Sequence, residues 1–295
     1  MEVEIVPPDR KRQLLLPTGR PIGWAEWGSE QGTPVLFCTG AGMSSSLGFG
    51  AEAIRALGIR LLCIDRPGLG RSAPDPEKSF GSWTADVAAV LTAEGIERPA
   101  AVAYSQGAPF AVALAGAGLV SALALVAGQD ELAHPQVKAL LPLQMAGLVD
   151  AIAADPAAFE ASFDTQVDAE GMLALVLGMS APHDRAFYEA PSFLAAYRRA
   201  LQEGFAQGPA GYVRDFTLAL RPWPIQPEVV RVPVHLWYGG RDTSPSHSPD
   251  FGASLERRFP NAALHLLPEE GGSLLWTRSG EILRALLSAV GQSTR

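Results

Sequence analysis

The strongest constraint on this chain is a recurring pattern. Short β-rich runs, apolar on both faces, each stop at a glycine or a turn. Residues 35–38 stop at Thr39-Gly40, residues 60–64 at Asp65-Arg66-Pro67-Gly68, and residues 100–104 at Ser105. Residues 123–126 stop at Ala127-Gly128, residues 234–238 at Gly239-Gly240, and residues 263–267 at Pro268. A strand with no polar face has no side to offer water, so it must be covered above and below, as in a parallel sheet. Helical patterns fill the gaps. Ser82 is placed to cap a helix running to Leu91, residues 110–119 read as a buried helix, and Ile282, Leu283, Leu286, Leu287 and Val290 mark a final amphipathic one. The alternation predicts an α/β fold with a doubly wound, mostly parallel sheet. Residues 13–16 and 22–27 read as a hairpin leading into it.

One long segment breaks the alternation. Between about residues 129 and 230 no run suits a parallel strand, and the helical pieces fall at 135–152, 156–163, 171–177, 190–203 and 212–220. The same segment holds Met145, Met172, Met179, Phe205 and Trp223. The expected organisation is a core of residues 1–128 and 229–295, with a helical insertion over 129–228.

Composition narrows the partners. Lys and Arg number 23 against 31 Asp and Glu, a formal net charge of −8, with no basic run longer than Arg10-Lys11-Arg12. That argues against nucleic acid or an anionic membrane and leaves a small-molecule substrate or ligand as the expected partner. The assembly state is not legible. Cys38 and Cys63 read as buried, reduced thiols. Residues 1–8 lack a cationic start followed by an apolar stretch, and residues 119–128 are too short to span a bilayer, so the expectation is a cytoplasmic protein.

The chemistry starts at Ala103-Tyr104-Ser105-Gln106-Gly107-Ala108, where a strand turns into a helix. A serine on such a turn sits in a strained backbone, and its neighbours two positions away must be small; Ala103 and Gly107 are. The following helix aims its first N–H groups at charge developing near the serine, although a helix-capping serine would read similarly. A second glycine turn, Gly40-x-Gly42 with Asp65 ending the next strand, imitates a dinucleotide fingerprint, but Ser45 stands where the third glycine belongs. No Gly-Lys-Ser/Thr occurs, and His134, His183, His235, His247 and His265 are scattered. The expectation is therefore no cofactor and no metal.

From about Leu14 to the final helix, the chain resembles the α/β-hydrolase superfamily, in its serine-nucleophile, cap-bearing branch. Besides the Ser105 turn, the resemblance rests on three segments: Phe37-Cys38-Thr39-Gly40-Ala41-Gly42, Asp65-Arg66-Pro67-Gly68-Leu69-Gly70-Arg71-Ser72 and Gly239-Gly240-Arg241-Asp242. It implies an α/β-hydrolase fold with residues 129–228 as a cap. It further implies Ser105 as nucleophile, the N–H groups of Ala41 and Gln106 as oxyanion donors, and Asp242 as the acid, with Asp130 as the alternative acid. Asp65 and Arg66 read as structural. Met43, Tyr104 and Trp223 are the expected pocket residues.

The base is the difficulty. The family places a histidine after the eighth strand; in the matching stretch, residues 268–275, Gly272 holds that position. A serine without a base is a weak nucleophile. The substitutes are His247, five residues past Asp242 where the family commonly has a noncatalytic residue, and His134; Glu269 or Glu270 would be weaker. The resulting expectation is hydrolysis of a small, mostly apolar ester or related acyl compound through Ser105, with an incomplete triad at Gly272. The alternative is a catalytically impaired binding or regulatory protein of the same fold.

Overall fold

The computed structural model describes residues 4–293. The outermost residues assigned above to the core, 1–3 and 294–295, lie outside the described residues. The first half alternates as the pattern demands: β1 (Arg10–Leu15), β2 (Pro21–Gly28), β3 (Thr33–Cys38), α1 (Ala51–Ala56), β4 (Ile59–Ile64), α2 (Phe80–Ala93), β5 (Ala100–Tyr104), α3 (Gly107–Gly116) and β6 (Leu123–Val126). Seven helices follow: α4 (Pro135–Lys138), α5 (Leu143–Ala154), α6 (Pro156–Phe163), α7 (Ala169–Met179), α8 (Pro182–Tyr188), α9 (Pro191–Gly204) and α10 (Ala210–Ala219). The sheet resumes with β7 (Val234–Gly239), α11 (Ala253–Arg258), β8 (Ala262–Leu267), α12 (Leu274–Thr277) and α13 (Ser279–Ser293).

The eight strands form one sheet in the order β1-β2-β4-β3-β5-β6-β7-β8. The β1–β2 and β2–β4 pairs are antiparallel, and the pairs from β4 through β3, β5, β6 and β7 to β8 are parallel. Every residue of β4, β5 and β6 is buried, the condition inferred from their unbroken apolar runs. Alternate residues feed two cores. Val35, Phe37, Val102 and Tyr104 belong to one, while Leu36, Cys38, Ala101 and Ala103 belong to the other. Cys38 and Cys63 are buried free thiols.

The helices have local causes. Asp155 caps α6 by accepting from the Ala158 N–H at 3.0 Å, and Asp168 caps α7 by accepting from the Gly171 N–H at 2.7 Å. Proline opens α4, α6, α8 and α9, where its missing N–H costs nothing. The single helix expected at 135–152 is instead two, because Pro142 is extended and disfavours helix in the residue before it. The α2 cap is Ser79, not Ser82. Ser79 Oγ accepts from the Ser82 N–H at 3.1 Å and Ser82 Oγ from the Ser79 N–H at 3.0 Å, a reciprocal box that a single-residue reading misses.

Three buried contacts fasten the helical segment to the sheet layer. Asp215 of α10 pairs with Arg66 at 2.7 Å and Lys78 at 2.5 Å. Asp184 of α8 accepts from the N–H groups of Gly272 and Ser273 at 2.8 and 3.0 Å and from Ser273 Oγ at 2.7 Å. The Ser44 N–H donates to the Ala200 carbonyl of α9 at 2.9 Å. No helix among the described residues is long and apolar enough to cross a membrane.

Candidate active site

Ser105 stands between β5 and α3 with φ 51°, a left-handed conformation that a serine adopts only when its surroundings enforce it. The enforcement is visible. Its N–H donates to the Val126 carbonyl at 3.2 Å, and its carbonyl accepts from the Ala108 and Gln129 N–H groups at 3.1 and 3.0 Å. A Cβ at Gly107 would lie 2.2 Å from the Cys38 carbonyl oxygen, so the small residue two positions after Ser105 is a steric necessity.

Ser105 Oγ lies 2.8 Å from His247 Nε2, and His247 Nδ1 lies 2.6 Å from Asp242 Oδ2. A carboxylate only accepts, so Nδ1 carries the proton and Nε2 is free to accept from the serine hydroxyl. All three side chains are largely shielded from water; Ser105 is 9% and His247 7% exposed. This relay gives a hydroxyl what it needs to act as a nucleophile. Asp242 reaches it from the turn after β7, where its Oδ1 also accepts from the Ser244 N–H at 2.9 Å. His247 comes from the same loop, which doubles back and is pinned where the Ser248 N–H donates to the Gly128 carbonyl at 3.1 Å.

Gly272 does lie beside Asp242: a Cβ there would sit 3.2–3.3 Å from the Asp242 carboxyl atoms. The imidazole next to Asp242 and Ser105, however, belongs to His247 and not to position 272. Position 272 carries no imidazole, and of the two substitutes named above it is His247 whose ring reaches both Asp242 and Ser105. His134 does not take part. It is the N-cap residue of α4, and its buried Nδ1 has no partner among the described residues. Asp130 does not reach the imidazole either: it accepts from the Glu131 N–H at 2.7 Å and from Ser248 Oγ at 3.0 Å. Burial pushes its carboxyl up to about 6. Asp130 thus braces the residue after His247.

The loop after β3 is held from below by Arg66, which donates to the carbonyls of Thr39 and Gly40 at 2.8 and 2.9 Å and pairs with Asp215. Asp65 accepts from the N–H groups of Ser45 and Arg71. The structural role read for Asp65 and Arg66 is what their contacts describe. Ala41 and Gln106 border the same cavity as Ser105, and among the described residues their N–H groups have no protein acceptor. An oxyanion hole requires two unpaired N–H donors converging on one point.

That cavity, about 350 Å³, lies between the strand ends and the helical segment. Met43 and Tyr104 line it; Trp223 does not. Trp223 is buried in the core on the other face of the sheet, its N–H donating to Glu131 Oε1 at 2.8 Å and its indole N–H to the Ala219 carbonyl at 3.3 Å. An aromatic residue in a proline-rich stretch carried no information about which face it would take. Among the lining residues that the sequence reading missed are Asp184, Tyr188, Tyr197 and Tyr212. Met145, Met172 and Met179 of the helical segment also face the cavity; with Met43, every methionine beyond Met1 lines it. A usable signal was there: methionines are sparse and gather in the one segment that breaks the strand pattern. Their soft, unbranched side chains suit an adaptable apolar wall. No group of three or more metal-ligating side chains occurs among the described residues.

Comparison with known proteins bears on the fold and family. A family model described as the alpha/beta hydrolase family matches residues 35–285. No curated protein matches the chain. Among solved structures, a hydrolase from Pseudomonas aeruginosa superposes with a TM-score of 0.70 at 17% identity, over 95% of this chain and 98% of that one. An esterase from Rhodococcus sp. ECU1013 gives 0.63 at 19% identity, over 95% and 99%. An enol-lactonase from Burkholderia xenovorans LB400 gives 0.67 at 17%, over 95% and 100%. At these identities the likeness is one of fold.

Proposed function

Because the chain belongs to the alpha/beta hydrolase family, we propose that it is a serine hydrolase acting on small, mostly apolar carboxylic esters or related acyl compounds. The observation that carries this reading is the unbroken chain of contacts from Asp242 through His247 to Ser105, at 2.6 and 2.8 Å, opening on an apolar cavity. Residues 129–228 serve as the cap of that cavity.

In this mechanism Ser105 Oγ attacks the acyl carbonyl while its proton passes to His247 Nε2. The Ala41 and Gln106 N–H groups hold the resulting oxyanion, and Asp242 steadies the imidazolium through Nδ1. Collapse expels the alcohol, which takes the proton from Nε2 and leaves Ser105 acylated. Water then attacks the acyl-enzyme, giving one proton to Nε2. When the second tetrahedral intermediate breaks, the carboxylic acid leaves and the proton returns to Ser105 Oγ. The methionine and tyrosine wall supplies apolar surface for the acyl and alcohol groups.

Labelling with a fluorophosphonate followed by peptide mapping tests the assignment. The label is expected on Ser105, and hydrolysis of short p-nitrophenyl esters is expected to vanish in Ser105→Ala. A label on another residue, or turnover that survives Ser105→Ala, would overturn the reading.

A further inference from the structure

Four of the chain's five tyrosines line the candidate cavity: Tyr104, Tyr188, Tyr197 and Tyr212. A phenol hydroxyl that opens on a cavity must find its hydrogen-bond partner there, from water or from a ligand. Two satisfy each other, the hydroxyls of Tyr104 and Tyr188 lying 3.0 Å apart. The other two do not. Tyr197 on α9 is 7% exposed and Tyr212 on α10 is 3% exposed, and among the described residues neither hydroxyl has a hydrogen-bond partner. Both rings are fixed by packing: Tyr197 lies 6.3 Å from Tyr188 and 5.8 Å from Phe193, and Tyr212 lies 5.4 Å from Phe205, ring centre to ring centre. Both are ring-packed residues bordering the cavity whose hydroxyls no protein group among the described residues satisfies, so a ligand in the cavity is what can supply a partner apart from Ser105.

The charge of the lining selects among ligands. Asp184 and Asp242 are its acidic residues, and no Lys or Arg faces the cavity. A second carboxylate or phosphate on a substrate would find two acids and no counter-ion, an unfavourable burial. The oxygen that Tyr197 and Tyr212 fit is therefore an uncharged acceptor.

Resting on the serine-hydrolase reading, we propose that the substrates are esters carrying a second, neutral oxygen acceptor remote from the scissile carbonyl, such as a ketone, and that the hydroxyls of Tyr197 and Tyr212 read it. Phenol donates to the ketone oxygen, and no covalent step is involved. These two tyrosines are specificity residues.

Binding to Ser105→Ala protein tests this without turnover. The ligands are methyl heptanoate, its 4-, 5- and 6-oxo derivatives, hexyl acetate, 5-oxohexyl acetate and monomethyl glutarate. At least one keto ester is expected to bind about three- to tenfold more tightly than its plain counterpart. Monomethyl glutarate is expected to bind worst. In Tyr197→Phe with Tyr212→Phe, which keeps the rings and removes only the hydroxyls, the keto preference is expected to fall to about one. No keto preference in either series, a preference that survives the double substitution, or tightest binding of the glutarate would each overturn the proposal. The same ratios in kcat/KM, measured on protein with Ser105 intact, separate the two readings. A keto preference in binding without Ser105-dependent hydrolysis would sink the hydrolase assignment and keep the ligand class.

Discussion

The loops after β7 and β8 approach the same carboxyl group and meet it in opposite ways. The β7 loop carries both Asp242 and His247, and it doubles back so that one imidazole touches acid and serine together. The β8 loop brings only the glycine at position 272, whose missing side chain leaves 3.2 Å between a would-be Cβ and the Asp242 carboxyl. It is bound instead to the helical segment, through the three hydrogen bonds that Asp184 accepts. On the proposed mechanism, the base is the residue whose nitrogen reaches Ser105, whichever loop delivers it. The β8 loop, through its contacts to Asp184, anchors the helices above the cavity.

The sharpest way to break this contrast is His247→Ala. If the β7 loop supplies the base, kcat/KM for short esters is expected to fall by about 10⁴-fold or more, as when a triad member is removed. The fluorophosphonate labelling rate is expected to fall with it. Unchanged hydrolysis would mean that the 2.8 Å contact carries no catalysis.

Asp184→Ala attacks the other side of the comparison. It leaves the Gly272 and Ser273 N–H groups and the Ser273 hydroxyl without their acceptor, in a place where Asp184 is 2% exposed. Unsatisfied buried donors cost about 1–3 kcal/mol each, softened by local relaxation, so a loss of roughly 2–4 kcal/mol in urea unfolding is expected. A loss below about 0.5 kcal/mol, the range of a neutral surface change, would show that the β8 loop is not anchored there.

Gly272→His puts an imidazole on both loops. The added Cβ would press on Asp242 at 3.2–3.3 Å, tighter than ordinary contact, and the carboxyl group that holds His247 must shift. Turnover is expected to drop by about tenfold, or ~1.4 kcal/mol in barrier. If the base site were empty, as Gly272 at the family's histidine position implies, the same substitution would instead raise turnover. An actual gain would place the working base after β8.

That reversal shows what the sequence carries and what it does not. The turn at Ser105 is legible because its requirements are local: Gly107 must be small to clear the Cys38 carbonyl, and an apolar strand must precede it. Asp242 is legible for the same reason, as a turn residue after a strand. His247 is visible only as a substitute, because its role depends on the path of a five-residue loop pinned by the Ser248 N–H to Gly128 and by Ser248 Oγ to Asp130. Those contacts join residues more than a hundred positions apart in the chain. The cavity wall is the least legible part. Trp223 and Tyr212 are both aromatics of the helical segment, yet one packs beneath the sheet and the other borders Ser105's cavity. Helix packing decides between them, and no local pattern does.

The smallest expected effect concerns the brace under the β7 loop. Asp130 is fully buried, and burial lifts its carboxyl to about 6, above the ordinary carboxylate value of about 3.9. Between those values the folded chain holds a proton that the unfolded chain has lost. Stability therefore falls as pH rises through about 4 to 6, and the cost is constant above that window. Asp130→Asn removes this titration while keeping an oxygen for the Glu131 N–H; Ser248 Oγ can turn and accept from the new amide. Relative to the wild-type protein, the variant is expected to gain stability across pH 4–6. It should then stay more stable by roughly 1–2 kcal/mol at pH 7, less than the full linkage value because the hydrogen bonds to the carboxylate are weakened. Urea unfolding of both proteins at pH 4, 5, 6 and 7 reads the difference directly. A difference independent of pH would show that Asp130 does not titrate in this window. A variant that loses ester turnover without losing stability would show instead that the carboxyl itself, through Ser248, holds His247 in place, and the brace would then belong with the catalytic loop.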